Sequence, residues 1–325
     1  MLGHRARRFV GPAAFRDVAL VDEPSEAPEA VLFAPAPADT LARLARGLDG
    51  GLLADTIVVP DLDAVTARHP AVRENLALLR EDGRRIIEDR NGEMSTPGEI
   101  VAGVLSSRSG PMSGLRLLVT AGGTREPIDS VRFIGNRSSG KMGLAVAREA
   151  LRLGAEVTVV AANVDRVEPG TEHHPVETVE ELREAVLQRA ADAHALVMAA
   201  AVSDFTPASP VGEKIRRSSG TTSLELAPTA DILEAVRERY PDLFVVGFAA
   251  THGDPVADAR EKLARKGADL VVGNDISRED VGFGAAENEV YVVGREQERF
   301  VPRASKAEVA RVILDGLMAE MNEER

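Results

Sequence analysis

The sequence predicts an α/β protein built around parallel β-sheets, and three observations lead to this fold class. Short apolar runs alternate with segments of helical periodicity along most of the chain, as they do where helices connect parallel strands. The alternation stops at a Ser-, Gly- and Pro-rich stretch over residues 106–114 and then restarts. A length of 325 residues is sufficient for two hydrophobic cores. We therefore expect two α/β domains, residues 1–105 and 115–325, joined by a linker over residues 106–114.

The first domain alternates strand and helix signals twice. The apolar runs at residues 30–37 (AVLFAPAP) and 56–60 (TIVVP) predict strands. Apolar residues recur at helical spacing over residues 40–53 (TLARLARGLDGGLL) and 70–83 (PAVRENLALLREDG), so these segments predict helices. Strands joined by helices in this way favour a parallel sheet.

The second domain shows the same alternation more strongly and predicts a larger sheet. Its expected strands are Arg116–Thr120, Glu156–Ala162, Ala195–Ala201, Leu243–Ala250 and Asp269–Asn274. Its expected helices cover residues 139–153, 179–192, 229–240 and 255–267. The stretch NEVYVVGREQERFVP alternates around a Gly, which predicts a hairpin before a closing helix. This order favours a Rossmann-like, doubly wound parallel sheet whose ligands bind at the carboxyl ends of the strands.

Composition and charge exclude several classes of protein. The net charge is −13 and aromatic residues make up only 3% of the chain, so a nucleic-acid partner is not expected. There is no Cys, which excludes disulfides, thiolate metal sites and thiol catalysis. Apolar runs such as residues 195–202 are too short to span a bilayer. We expect a cytoplasmic protein without a membrane segment.

The segment after the first strand of the second domain carries the most information. Gly135 and the pair Gly140–Lys141 have the G-x-x-x-x-G-K spacing of a P-loop, but Met142 stands where a hydroxyl should bind magnesium. A dinucleotide site would need an acidic residue at the end of the next strand, where the chain has Asn163. Neither a P-loop NTPase nor a nicotinamide dehydrogenase is the favoured interpretation.

Ser138, Ser139 and Gly140 instead indicate a helix start whose N–H groups suit an anion. The alternative is structural: Ser139 caps the helix, and the glycines allow close packing on the sheet. The preceding loop favours a binding site, because it concentrates polar side chains at the carboxyl end of a strand. Those side chains are Arg125, Glu126, Asp129, Arg132, Asn136 and Arg137.

Lysine usage points to the same region. Lys occurs at only five positions, and Arg supplies the remaining 34 of the 39 basic residues. In this background a retained Lys indicates a need for a compact ammonium group rather than a planar guanidinium. Lys262 and Lys266 are four apart on a predicted helix, so both ammonium groups project from one face. The other lysines are Lys141, Lys214 and Lys306.

A set of ordered motifs in residues 115 to about 320 resembles the phosphopantothenoylcysteine synthetase (phosphopantothenate–cysteine ligase) family of coenzyme A biosynthesis. The motifs are TAGGTREPIDSVRFIGNRSSGKMG, AAAVSDFTP, EKIRR, VVGFAA, AREKLARKGADLVVGNDI and GFGAAENEV. The resemblance implies that the carboxylate of 4′-phosphopantothenate attacks the α-phosphate of CTP and forms an acyl-cytidylate with release of pyrophosphate. The amine of cysteine then displaces CMP to form an amide.

The resemblance also implies roles for individual residues. Asn136 matches the residue that holds the acyl-nucleotide intermediate, and Lys214 matches a mobile lysine of the chemical steps. Lys214 lies in the segment TPASPVGEKIRRSSG, whose Pro, Gly and Ser content predicts a flexible lid. The alternatives are a turn residue for Asn136 and a solvated loop charge for Lys214. Matching nucleotide contacts are Met198, Ala199, Ala200, Asp204, Thr229, Ala230, Asp231, Ile232, Phe248, Lys262 and Lys266, beside the anion site Ser138, Ser139 and Gly140.

The same resemblance implies further ligand contacts. Backbone groups at residues 198–200 could read the base edge, and Asp204 could accept from a ribose hydroxyl or cap a turn. Magnesium is expected to ride on the triphosphate, and no metal cage of the protein is expected. The pair His173–His174 is interpreted as part of a solvated loop. A homodimer or higher homo-oligomer is expected.

One departure from the family's motifs leaves alternative functions open. The family continues GFAA with Glu-Thr, whereas Thr251 and His252 follow Ala250 in this chain. A related acyl-nucleotide ligase with a different acid or amine therefore remains possible, as does a non-catalytic nucleotide-binding regulator. ATP in place of CTP also remains open.

Residues 6 to 100 resemble a flavin-dependent phosphopantothenoylcysteine decarboxylase that has lost its site, a truncated flavodoxin-like domain. The resemblance rests on three segments in order, FVGPAAF, APAPADTLARLARGLDGGLLAD and HPAVRENLALLREDG. The first strand with its flavin-phosphate loop and the His-Ile pair are absent, and Asp39 replaces a flavin-contacting Asn. The motif Pro-Ala-Met-Asn has become Pro60-Asp61-Leu62-Asp63. Because the catalytic Cys is also missing, we expect no decarboxylase activity and no FMN, and a structural or oligomerising role.

Overall fold

The computed structural model of the protein describes residues 31–48, 56–88, 95–105, 110–166, 168–216, 223–277 and 287–323. The segment FVGPAAF, residues 106–109 of the expected linker, residues 217–220 of the expected lid and residues 282–286 of GFGAAENEV lie outside the described residues. The chain divides into two compact units, Met1–Ser107 and Arg108–Arg325. Each unit is described by itself.

The first unit has a three-stranded parallel sheet in the order β1-β2-β3. Its elements are β1 (Val31–Ala36), α1 (Ala38–Ala45), β2 (Thr56–Pro60), a single 3₁₀ turn (Thr66–Arg68), α2 (Pro70–Glu81), β3 (Arg85–Ile86) and α3 (Pro97–Leu105). The apolar faces of α1 and α2 bury Leu41, Leu44 and Leu79 against the sheet residue Val58. Within the helix predicted over residues 40–53, α1 ends at Ala45, and Gly47 follows in a left-handed backbone conformation (φ +67°). Residues 49–53 lie outside the described residues.

The second unit is built on an eight-stranded sheet in the order β15-β14-β13-β12-β9-β4-β7-β8. Its strands are β4 (Arg116–Gly122), β7 (Glu156–Ala162), β8 (Glu172–Val176), β9 (Ala195–Met198), β12 (Phe244–Thr251), β13 (Leu270–Asp275), β14 (Glu287–Val293) and β15 (Glu298–Ser305). Pairing is parallel from β13 to β8 and antiparallel in the terminal hairpin. The doubly wound, mostly parallel sheet predicted from the sequence is confirmed.

Two layers of helices cover this sheet. The helices are α4 (Lys141–Arg152), α5 (Val179–Ala190), α6 (Ile232–Arg239), α7 (Pro255–Lys266) and α8 (Lys306–Glu323). α4 packs against α8 in one layer, whereas α6 contacts both α5 and α7 in the other. The sheet core between the layers is aliphatic, with Val119, Val159, Leu196 and Val246 all nearly inaccessible to solvent. This arrangement brings the starts of α4, α6, α7 and α8 toward the carboxyl edge of the parallel strands.

Two small hairpin-like sheets stand beside the main one. β5 (Arg125–Pro127) pairs with β6 (Phe133–Gly135), and β10 (Phe205–Pro207) pairs with β11 (Leu226–Pro228), both antiparallel. The sequence did not predict these strands, because each has only three residues and no apolar alternation.

The structure corrects three further expectations. The His173–His174 pair does not lie in a loop but in the edge strand β8, where the ring of His174 contacts the carboxylate of Glu172 at 2.8 Å. β9 ends at Met198 rather than at residue 201, and Ala201 forms an isolated bridge with Gly123. Helix α4 begins at Lys141, two residues later than expected.

Candidate active site

A cavity of about 680 Å³ opens at the carboxyl edge of the sheet, where β4 continues toward β7 on one side and β9 toward β12 on the other. Such a point, where the strand order reverses, is the usual ligand site of a doubly wound sheet. The volume is in the range of small-molecule sites. The expected site residues that line it are Asn136, Ser138, Ser139, Gly140, Met198, Ala199, Ala200, Asp204, Thr229, Ala230, Asp231, Ile232, Phe248, Lys262 and Lys266.

The start of α4 forms one wall of the cavity. Its N-cap is Gly140 in a left-handed conformation (φ +73°), and no side chain caps the helix. The structural alternative, in which Ser139 caps α4, is therefore wrong. The Ser138 hydroxyl accepts a long hydrogen bond (3.4 Å) from the Gly140 N–H. A Cβ on Gly143 would lie 2.6 Å from the Thr120 carbonyl oxygen, so the helix approaches β4 more closely than other residues allow. The first N–H groups of α4 have no partners within the helix and face an anion-compatible cavity.

Asn136 connects two of the loops that form the site. Its side-chain amide donates to the Ala201 carbonyl oxygen at 3.0 Å. This bond ties the end of β6 to the chain that follows β9. One amide hydrogen is therefore already used within the protein, which fixes the orientation of the side chain at the cavity wall.

The wall after β9 presents mainly backbone groups. The Ala199 N–H donates to the Val197 carbonyl and the Ala200 N–H to the Thr120 hydroxyl (3.0 Å). Both N–H groups are thus used inside the protein, and the carbonyl oxygens of Ala199 and Ala200 are the groups suited to contact a ligand. Nearby, the Asp204 carbonyl accepts from the Thr229 N–H, while the Asp204 side chain borders the cavity.

Lys262 and Lys266 line the opposite part of the cavity from one face of α7, as their spacing predicts. The Lys266 ammonium forms an ion pair with Asp231, whose carboxylate also caps α6 by accepting from the Glu234 N–H at 3.0 Å. Lys262 donates to the Phe248 carbonyl oxygen. Burial lowers the pKa of the Lys262 ammonium, and the carboxylates of Asp231 and Asp204 partly oppose this shift. The carboxylates and ammonium groups on this wall therefore hold one another in place.

Lys214 is exposed and is not among the residues that line the described cavity. Its segment is nevertheless attached to the loop that precedes α4. The buried carboxylate of Asp129 accepts from the Ile215 N–H (3.1 Å) and from Arg132 Nε (2.9 Å), and Arg132 donates in turn to the Ile215 carbonyl. Burial alone raises the pKa of Asp129, but hydrogen bonds from Arg132, Val131 and Ile215 outweigh it and hold the pKa well below its ordinary value. Asp129 and Arg132 thus anchor the segment that carries Lys214.

Other residues line the cavity although the sequence did not single them out as ligand contacts, among them Asn274, Ile276, Asn288 and Lys306. Asn274 and Ile276 lie within the motif AREKLARKGADLVVGNDI, and Asn288 lies within GFGAAENEV. The signal for Lys306 was the rarity of Lys in this chain. Of the five lysines, Lys306 lies outside the motifs yet borders the cavity, whereas Lys214 lies inside a motif and does not.

No cluster of three or more His, Asp or Glu side chains in the described ranges is arranged to hold a metal ion. No helix within those ranges is both long enough and apolar enough to cross a membrane.

Comparison with known proteins places most of this chain in one family. The family described as DNA/pantothenate metabolism flavoprotein C-terminal domain matches residues 112–321. The coenzyme A biosynthesis bifunctional protein CoaBC of Bacillus subtilis is 35% identical over 314 residues, which cover 89% of this chain and 77% of that protein. CoaBC of Mycolicibacterium smegmatis is 39% identical over 327 residues, covering 89% of this chain and 79% of that protein.

A solved structure shares the fold of the second unit. The crystal structure of a CoaBC C-terminal domain is 33% identical, has a TM-score of 0.57, and covers 66% of this chain and 100% of that domain. Together with the match over residues 112–321, these likenesses show that the chain belongs to the CoaBC family of coenzyme A biosynthesis proteins and carries its DNA/pantothenate metabolism flavoprotein C-terminal domain.

Proposed function

We propose that the second unit is a phosphopantothenate–cysteine ligase that joins 4′-phosphopantothenate and L-cysteine by means of CTP. The observation that carries this proposal is the cavity at the point where the strand order reverses. It brings together residues from motifs that are far apart in the sequence, among them Asn136, Gly140, Ala200, Asp231 and Lys262. The volume of this cavity is in the range of sites that bind small molecules.

The proposed reaction has two steps. A carboxylate oxygen of 4′-phosphopantothenate attacks the α-phosphorus of CTP, and the bond to the β-phosphate oxygen breaks to release pyrophosphate. The cysteine amine then attacks the acyl carbon, CMP leaves with its electron pair, and the amine loses a proton as the amide forms. Such chemistry asks the protein for alignment and for cations near the phosphates rather than for a covalent nucleophile. A chain without Cys meets this requirement.

Different parts of the cavity wall suit different groups of the two substrates. The carbonyl oxygens of Ala199 and Ala200 suit the exocyclic amine of a nucleobase, and Asp204 suits the ribose hydroxyls. The ammonium of Lys262 and the start of α4 supply positive potential for phosphates. We assign the base edge to residues 198–200, and the acyl phosphate to Asn136 and Gly140. Lys214 would reach the reacting phosphates when its anchored loop closes over the cavity.

The site suits magnesium that is bound to the nucleotide phosphates rather than coordinated by side chains of the protein. Asp231 is engaged by Lys266, and the described residues provide no three-carboxylate cage. When bound to the triphosphate with most of its waters retained, the ion would neutralise phosphate charge. The contacts to the substrates themselves are assigned to the residues of the cavity walls.

The turn that follows β2 is relevant to FMN binding by the first unit. In the segment Pro60-Asp61-Leu62-Asp63, the Asp63 carboxylate accepts from the backbone N–H groups of Val65 and Thr66 (both 2.9 Å). That carboxylate therefore closes its own turn. We propose that the first unit binds no flavin, performs no decarboxylation and serves a structural role.

A homodimer or higher homo-oligomer is part of the proposal. The two small sheets contact each other through β5 and β10 and expose Val131, Phe133, Phe205 and Leu226, each 44–60% accessible. Apolar side chains clustered on short strands mark a surface for protein contact. We also place the protein in the cytoplasm, where CTP is available.

Pyrophosphate release tests the proposed function. The purified chain should release pyrophosphate with CTP and 4′-phosphopantothenate before cysteine is added, and should form the amide after it is added. Release with another acid only would indicate a ligase of altered substrate, and release with ATP in preference to CTP would change the nucleotide. Nucleotide binding with no release from any acid would identify a regulator and refute the ligase.

A further inference from the structure

A buried hydroxyl group adjoins the part of the cavity wall that we assign to the nucleobase. Thr120 belongs to β4 and is inaccessible to solvent, like its neighbours Val119 and Ala121. A hydroxyl in such an apolar strand costs free energy unless it forms hydrogen bonds, and a Val of the same shape would avoid that cost. The presence of a hydroxyl here therefore indicates hydrogen-bond partners, and the structure provides two.

The Thr120 hydroxyl contacts both sides of the base-edge segment. It accepts a hydrogen bond from the Ala200 N–H at 3.0 Å and donates to the sulfur of Met198 at 3.5 Å. Met198 and Ala200 both line the cavity, with Ala199 between them. One hydroxyl thus ties β4 to two of the three residues that we assign to the base edge.

The pairing of the main chain explains why a side chain is needed at this point. Met198 lies opposite Thr120 in the ladder of β9 and β4, and the next residue to pair in the same register is Ala201. Residues 199–200 leave the ladder between these two positions. The Ala200 N–H is therefore held by the Thr120 hydroxyl in place of a main-chain carbonyl of β4.

The chain that follows this excursion is attached independently. The Ala201 N–H donates to a main-chain carbonyl of β4 at 2.8 Å, and the Ser203 N–H donates to the buried Thr124 hydroxyl at 3.0 Å. Loss of the Thr120 hydroxyl would leave both of these bonds in place. It would release residues 199–200 alone, because their N–H bond to β4 is the one that Thr120 supplies.

We propose that Thr120 is a positioning residue for nucleobase recognition. Its hydroxyl holds Ala199 and Ala200 where their carbonyl oxygens accept hydrogen bonds from an exocyclic amine. This inference rests on the proposed ligase function and on its assignment of the base edge. Carbonyl oxygens favour a base with an amine, such as cytosine or adenine, over uracil or hypoxanthine, which present an oxygen instead. The selectivity between these bases therefore depends on where the two carbonyls are held.

Replacements that preserve the shape of the side chain test this role in the full chain. Thr120→Val removes the hydroxyl, whereas Thr120→Ser retains it. The matched control is Thr158→Val in the neighbouring strand β7, where the hydroxyl donates to the exposed Glu172 carboxylate at 3.4 Å. Calorimetry measures affinities for CTP, UTP, ATP, ITP and inorganic pyrophosphate, which has no base. Thr120→Ala, which also lacks the hydroxyl, repeats the test if Thr120→Val does not fold.

The expected result is a loss of base selectivity in Thr120→Val. The preference of the parent for CTP over UTP, or for ATP over ITP, should fall about fivefold or more, as expected for a misplaced hydrogen bond. The affinity for pyrophosphate should stay within about twofold of the parent value, because other walls are assigned to the phosphates. Thr120→Ser and Thr158→Val should keep the preference of the parent. A merely structural hydroxyl would change stability without changing this ratio.

A preference in Thr120→Val within about twofold of that of the parent would overturn the proposal. An equal loss of affinity for every probe would also overturn it, because the disturbance would not be confined to the base edge. So would a parent protein that does not favour the base with the amine. Failure of the ligase is a separate outcome. A parent that binds nucleotides selectively but releases no pyrophosphate refutes the ligase, while the variants still decide the role of Thr120.

Discussion

The two units of this protein share an architecture and differ in the segments that leave the carboxyl ends of their strands. In the first unit, Asp61 and Asp63 follow β2, and the Asp63 carboxylate accepts hydrogen bonds from backbone N–H groups of its own turn. In the second unit, β4 runs into a long polar loop that returns through β6 to the start of α4. The comparison teaches that a parallel sheet with helices does not itself make a site. The site depends on loops that bring distant polar groups to one edge.

Removing the ammonium of Lys214 is expected to have the largest effect on the second unit. Lys214→Gln should lower turnover by about 100-fold or more, with a much smaller change in nucleotide affinity, because the charge acts during reaction. Steady-state kinetics and calorimetry with CTP measure the two quantities. Arg311→Gln, an equal loss of charge elsewhere, should leave both unchanged. Turnover near that of the parent would make Lys214 a solvated surface charge.

We expect the next largest effect on activity from a change at Asp129, which anchors the segment that carries Lys214. Asp129→Asn removes the ion pair with Arg132 and weakens the bond from the Ile215 N–H. We expect kcat to fall between about 10-fold and about 100-fold through misplacement of Lys214, with the KM for CTP changed less. Asp242→Asn, the same change at an exposed position, is the control. A fall in stability without a fall in kcat would restrict Asp129 to a structural role.

The lowered pKa of the Asp129 carboxylate leads to a prediction about the dependence of stability on pH. Because the pKa of Asp129 is lowered by folding, its contribution to stability is complete above the ordinary value of 3.8 and is lost as the pH falls through the lowered value. The difference in unfolding temperature between the parent and Asp129→Asn should therefore be constant from about pH 5 to about pH 8 and shrink only in stronger acid. A difference that changes near neutral pH would contradict this assignment.

Two glycines in packed helices test the close approach of α4 to the sheet. Gly143→Ala should lower the free energy of unfolding by about 1–3 kcal/mol, because its Cβ would lie 2.6 Å from the Thr120 carbonyl oxygen. Gly316→Ala in α8 is the matched control, since its Cβ would make ordinary contacts at 3.5 Å with Leu270. This second change should raise stability by up to about 1 kcal/mol. Denaturant unfolding measures both, and equal signs would refute the packing argument.

The smallest expected effect is that of flavin on the first unit. The purified protein should be colourless, and incubation with FMN should produce neither a bound flavin spectrum nor a higher unfolding temperature. The reason is that the resemblance to a flavin-dependent decarboxylase implies a flavin-contacting Asn where this chain has Asp39, and that the Asp63 carboxylate is bound within its own turn. A yellow protein with stoichiometric FMN would remove the contrast between the units.

The sequence predicted the inner strands and the terminal hairpin with its closing helix, but it missed the edge strand β8 and the two small sheets. β7 was predicted with its observed bounds, Glu156–Ala162, because a strand buried on both faces is a continuous apolar run. β8 was missed, because an edge strand such as EHHPV is held by main-chain pairing and needs no apolar pattern. The three-residue strands were missed for the same reason.

The sequence predicted those parts of the candidate site that lie within local motifs. Lys262 and Lys266 share a helix, so their common face is predicted from spacing alone. Lys306 reaches the cavity only because α8 packs on α4, a contact between segments more than 150 residues apart that no local pattern encodes. Asn288 likewise depends on the register of a hairpin. Non-local packing is therefore what the sequence analysis could not supply.

The position of α8 has a consequence for how the protein is made. Ribosomes deliver the chain from its amino end, so the strands and the other helices that surround the cavity emerge before Lys306 and α8 do. Until then the face of α4 that packs on α8 has no cover, and one wall of the cavity does not exist. A nascent chain that stops before residue 306 thus has most of its sheet but an incomplete pocket. Substrate capture can begin only after α8 has emerged.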